Sequence, residues 1–206
     1  MSKGIEILGS LEDFFRGELF EVSRKQNLEI DAPVSAYVAQ LLVKFSQSSS
    51  FVEQYLPSGE KSKDPVLALL WLEGLQKRPS EQLTQMQYLG DVALFTRGFF
   101  SDRLEKALLD RDYYTAMGEQ AYHQAASLQT VLRSDLALKE LFQRLSHSFP
   151  NVVSVLEEIS LRSQVTQSDG LVKLYQKWLQ RPDQKLGRIL QENGVIPRAA
   201  GRGDKN

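Results

Sequence analysis

Not one of the 206 residues is a cysteine. That excludes disulfides, thiolate metal sites, iron–sulfur clusters and every cysteine nucleophile. Histidine occurs only at positions 123 and 147. A catalytic zinc needs three protein ligands, and a di-iron helical site needs four carboxylates with two Glu-x-x-His pairs. Glu119 and His123 make a single i, i+4 pair, which reads as a solvated surface contact, and His147, between two serines, reads as exposed or dipole-stabilised. Neither a phosphate loop, nor a strand-linked Gly-x-Gly-x-x-Gly, nor a Gly-x-Ser-x-Gly elbow is present, so no cofactor and no metal is expected. The longest apolar run, residues 66–72, is seven residues, where a bilayer crossing takes about 20. The start of the chain has one lysine and no apolar stretch ending in small residues, so no signal peptide is read there. A cytoplasmic protein without membrane contact is expected, since an absence of cysteine suits a reducing compartment.

What is present is ordinary for a globular chain: 42% hydrophobic and 25% charged residues, with a net charge of −1. Apolar periodicity is helical almost throughout, and no sustained period-two alternation marks a strand. The expectation is an all-α fold, a single compact bundle of about nine helices. Residues 1–9 would be a flexible N-terminus, 10–197 the domain and 198–206 a flexible basic tail, whose Arg-Gly-Asp at 202–204 is a chance occurrence. Ser10, Asp31, Ser134 and Ser168 read as helix caps; Asp64-Pro65, Pro79-Ser80 and Pro150 read as helix starts. A short turn is expected at residues 51–56 and a short helix through Leu104, Leu108 and Leu109. Asn193-Gly194 reads as the stop of the last helix. Trp71, Leu72, Leu94, Phe142, Leu156 and Trp178 should share one core.

Two clusters rise above this background. In the segment 89–100, Gly90 and Gly98 lie within a helix, where each costs about 1 kcal/mol against alanine; close helix approach would offset that. Asp91 sits amid this apolar stretch and must either face water or be buried and paired. In the segment 112–122, Tyr114, Gly118 and Tyr122 fall at i, i+4 and i+8, on one helix face. The segments read as interlocking core helices, with Asp91 buried and bonded to Tyr113, Tyr114 or Tyr122, or ion-paired to Arg97. The same residues could line a pocket for a small apolar or aromatic ligand between the helices carrying Gly90, Gly98 and Gly118.

The motifs Leu-Gly-Asp-x-Ala-Leu-Phe-x-x-Gly-Phe-Phe-x-Asp at 89–102, Asp-Tyr-Tyr-x-x-Met-Gly-x-x-Ala-Tyr at 112–122 and Leu-x-x-Leu-Tyr-x-x-Trp-Leu at 171–179, with Gly-Val-Ile-Pro at 194–197, resemble an uncharacterised family of bacterial all-helical cytoplasmic proteins with no assigned activity. The resemblance spans most of residues 14–197. It implies a bacterial, cytoplasmic origin and carries no mechanism; the Ser-Asp-Gly at 168–170 departs from the family's usual lead-in.

Residues 171–206 hold eight basic and three acidic residues, a balance of +5, so the first 170 residues carry −6. Lys173, Lys177 and Arg181 recur every four residues, opposite Leu171, Leu174 and Trp178. They read either as a solvated face or as a patch for an acidic surface, on a protein partner or on a second copy. Nucleic acid is not expected, because Tyr175 and Trp178 fall on the apolar side rather than among the cations. Three functional classes follow. The first is a non-enzymatic interaction or regulatory protein, the second a binder of a small apolar or aromatic ligand, and the third an enzyme using Asp91 with its tyrosines.

Overall fold

The computed structural model describes residues 2–46, 66–101, 104, 111–165 and 170–196. Among them are eight helices and no strand: α1 (Ser2–Gln26), α2 (Ala32–Ser46), α3 (Val66–Leu75), α4 (Pro79–Phe99), α5 (Arg111–Leu132), α6 (Leu136–Val165), α7 (Gly170–Gln180) and α8 (Gln184–Glu192). The all-α reading holds. The turn expected at 51–56, the start at Asp64-Pro65, residues 108 and 109 of the short helix, the Ser168 cap and the tail 198–206 lie outside the described residues.

Several boundaries follow the local chemistry. The Asp31 carboxylate accepts from the Val34 amide at 3.0 Å at the start of α2, and Pro79 occupies the first position of α4, where its missing N–H costs nothing. Three helices end on a left-handed residue: Asn27 after α1, Arg133 after α5 and Gly194 after α8. At the first and last of these the next amide reaches back one turn, Leu28 N–H to the Ser23 carbonyl and Val195 N–H to the Leu190 carbonyl, both at 2.9 Å. These bonds satisfy carbonyls that the helix end would otherwise orphan.

Three expected boundaries are corrected. The helix starts at Ser2, not Ser10. Asp135, not Ser134, caps α6: its Oδ1 accepts from Ala137 N–H at 2.8 Å and Leu138 N–H at 3.1 Å, while the Ser134 hydroxyl donates to Gln129 Oε1. Pro150 lies inside α6 rather than at its start. An interior proline costs about 3 kcal/mol. Burial of Leu145, Phe149, Val152, Val155 and Leu156 on both sides of it outweighs that cost, since each is 0% exposed and full burial of one such side chain is worth about 1.5–3 kcal/mol.

Two compact units make up the chain, Met1–Glu157 and Glu158–Asn206. In the first, α4 and α5 form the most extensive helix pair, with α1 on α2 and α3 on α4. Residues 89–96 of α4 are buried without interruption, so this helix is enclosed on all sides. In the second, Leu174, Leu186, Ile189 and Leu190 form the core, with Leu161, Leu171, Tyr175 and Trp178 packed against them. Of the six residues expected in one core, Leu94, Phe142 and Leu156 are buried in the first unit, but Leu72 is 56% exposed and Trp178 packs, partly buried, against the second unit's core. Leu72 is overturned because α3 is apolar nearly all round, so periodicity cannot say which of its leucines turns inward.

Leu94→Ala should therefore cost about 2–5 kcal/mol of unfolding free energy, and Leu72→Ala no more than about 0.5 kcal/mol. Urea denaturation of the two variants checks this, and equal costs would contradict the assignment of faces.

Candidate functional site

Asp91 stands in the enclosed stretch of α4 and is 3% exposed. The phenol hydroxyl of Tyr122 on α5 donates to its Oδ1 at 2.8 Å, and that of Tyr37 on α2 donates to the same oxygen at 2.7 Å. Gln87, one turn earlier on α4, donates from Nε2 to the Tyr37 hydroxyl at 3.1 Å. Three helices thus converge on one carboxylate. The rings around it form an aromatic box: Tyr37 meets Tyr122 and Phe142 edge-on, at 6.4 and 6.2 Å between centroids, and Tyr122 stacks on Phe142 at 6.0 Å.

Burial disfavours the charged carboxylate and pushes the Asp91 pKa up to about 6, against the two phenol hydrogen bonds and the Lys44 charge, which pull it down. Burial also raises both phenols, and the Asp91 charge beside them raises them further. A carboxyl poised near 6 with two phenol partners has the protonation chemistry of a general acid or base. What it has no room for here is a substrate at the glycines. A Cβ on Gly90 would come within 2.8 Å of the Tyr122 ring, one on Gly118 within 2.2 Å of the Phe149 ring, and one on Gly98 within 2.5 Å of Leu156 Cβ. The space each glycine vacates is filled by a neighbour's side chain.

The structure unites only part of the expected set. Asp91 and Tyr122 meet as expected. Arg97 does not pair with Asp91: its Nη1 donates to Glu157 Oε1. Tyr113 and Tyr114 contact each other edge-on at 5.6 Å and are not the donors to Asp91. Tyr37 is a donor that sequence reasoning missed; a lone hydroxyl among Val34, Val38, Leu41 and Leu42 was the available signal. His123 is exposed, and exposed His147 places Nδ1 2.7 Å from the Gln143 carbonyl. No group of three or more histidine, aspartate or glutamate side chains able to hold a metal ion occurs among the described residues.

The second candidate surface lies on α7. Lys173 and Arg181 are exposed and Lys177 half-buried. Val172 and Leu179 are also exposed, at 60% and 43%. Also unforeseen was Glu158, a carboxylate with 0% exposure: it is bound by Arg162 Nη2 at 2.8 Å and by Arg188 Nη2, with Arg162 also 3.5 Å from Glu192. Its signal was an acid one turn from Val155 with an arginine at i+4. No described helix is long and apolar enough to cross a membrane. No family model, curated protein or solved structure matches the chain.

The Asp91 assignment has a signed pH dependence. Its folded pKa lies above the ordinary carboxylate value of 3.8, so the folded state holds the proton more tightly. The contribution is therefore most favourable below the unfolded value and is lost as pH rises through about 6, with a span of about 3 kcal/mol. Relative to Asp91→Asn, which keeps the Oδ1 acceptor but cannot titrate, the wild type should gain stability between pH 7 and pH 4.5. Asp91→Ala removes the acceptor of the buried Tyr122 and half-buried Tyr37 phenols, at about 1–3 kcal/mol, and should be the more damaging variant at pH 7. Urea titrations of the three proteins across this range check it. A wild-type profile parallel to that of Asp91→Asn would refute the buried carboxyl.

Proposed function

We propose that this chain is a non-enzymatic interaction protein whose C-terminal unit presents a positive helix face to an acidic protein partner. The observation that carries the reading is the face of α7. Lys173, Lys177 and Arg181 follow one another at four-residue spacing, and exposed Val172 and Leu179 supply apolar area beside the charges. Interfaces combine such an apolar centre with charged surroundings that steer encounter. The filled spaces beside Gly90, Gly98 and Gly118 favour this reading over a ligand pocket between α4 and α5 and over a catalyst built on Asp91. In this account Asp91 and its tyrosines hold the first unit together, and recognition belongs to the second. Residence in the bacterial cytoplasm is part of the proposal.

The test is a Lys173→Glu, Lys177→Glu, Arg181→Glu triple variant compared with wild type by pull-down at low and moderate salt. Each recovered partner is then identified, purified and rebound. A direct partner should lose at least about tenfold in affinity to the triple variant, since each reversed rim charge removes an attraction and adds a repulsion. Unchanged partners and an unchanged oligomeric state would defeat the reading. A wild-type assembly of identical copies that the variant abolishes would replace the foreign partner with a second copy.

A further inference from the structure

Gly90, Gly98 and Gly118 each make room for a neighbouring side chain. Gly17, in the middle of α1, does not: a Cβ there would meet no described atom within 4 Å. Glycine inside a helix is disfavoured against alanine, so one set on an open face calls for a close approach from outside the chain. One turn further on, the Phe20 ring is 64% exposed. Phe14, at 55%, adds apolar area at the edge of the same face.

Spacing defines the rest of this face. Leu19 and Val22 turn inward, at 1% and 0% exposure, whereas Asp13, Gly17, Phe20 and Arg24 are all exposed. Separations of four, three and four residues keep those four on one stripe, the spacing of a two-helix seam. The seam carries a projecting ring and a gap side by side. A parallel copy would set gap on gap, ring on ring and Asp13 on Asp13. On an antiparallel copy related by a two-fold axis, each Phe20 enters the space over the other copy's Gly17, and each Asp13 meets the other's Arg24. The stripe is complementary to itself, as a two-fold interface requires. Arg24 already faces Glu21 of its own helix at 3.9 Å. A second carboxylate joins that exposed contact and sets direction only; ring and gap choose the occupant.

We infer that the outer face of α1 is the docking surface for a second copy of this chain, the two helices running antiparallel with Phe20 of each seated over Gly17 of the other. This pairing belongs to the first unit and does not rest on the partner face of α7.

Sedimentation velocity of the full chain from micromolar to millimolar concentration tests it. A monomer–dimer equilibrium is expected, weakened at least about tenfold by Phe20→Ser, which removes an exposed central apolar anchor. Gly17→Gln should likewise weaken the dimer while raising the melting temperature of the monomer, because the open space accepts the side chain and the helix gains propensity. Circular dichroism checks that both variants are folded, and Gly17→Gln carries the comparison alone if Phe20→Ser is not. Direction is read from cross-linking, in a chain that has no cysteine of its own. Asp13→Cys mixed with Arg24→Cys should join through a short bismaleimide far more readily than either variant joins itself. A monomer at every concentration would overturn the inference, as would a dimer that both α1 variants leave unchanged. Preferred linkage of Asp13→Cys to itself would overturn the antiparallel arrangement. A dimer lost in the Lys173, Lys177, Arg181 reversal but kept in both α1 variants would move self-association to α7 and overturn the inference too.

Discussion

A single buried carboxylate ties the first unit together. Asp91 contributes one oxygen, and two phenols from different helices share it, so α2, α4 and α5 are held in one relative register around a point. An unpaired charge in such surroundings would be prohibitive, and a fully apolar residue would remove the carboxylate oxygen that both hydroxyls use. The cluster's members support one another, and losing the acceptor penalises both donors at once.

The glycines follow from the same constraint. Tyr122 can reach Asp91 only by lying across α4, and its ring passes where a side chain at position 90 would stand. Phe149 does the same at Gly118, placing α6 against α5. The helix-propensity cost of each glycine is offset by an aromatic ring seated in its place, so the small residues and the rings are two halves of one packing solution. Beside Gly90 and Gly118 the space is thus taken by the Tyr122 and Phe149 rings.

Much of this was legible in the chain. Glycines inside apolar helices implied close approach, an aspartate amid leucines implied a buried partner, and Tyr114, Gly118 and Tyr122 marked the facing surface. Tyr37 was hidden because its ring belongs on the apolar stripe while only its hydroxyl is polar. Arg97 was misassigned because proximity in sequence to Asp91 says nothing about its partner 60 residues away, Glu157. Pro150 misled for the opposite reason: local chemistry favours a helix start, and tertiary burial of Phe149 and Val152 overrode it. The division at residues 157 and 158 falls within a continuous helix, where no proline, glycine or polar linker could announce it. Lys173, Lys177 and Arg181 were readable at one spacing from the sequence alone.

The buried carboxyl at the centre of the first unit is tested most directly by the state of one proton. Site-resolved carbon NMR of the Asp91 carboxyl, followed through a pH titration, measures it directly. The account predicts a midpoint near 6, with the chemical shifts of the Tyr37 and Tyr122 rings moving on the same curve. A midpoint at the ordinary carboxylate value near 3.8, with both tyrosines unaffected, would mean that Asp91 is solvated and that the keystone does not exist.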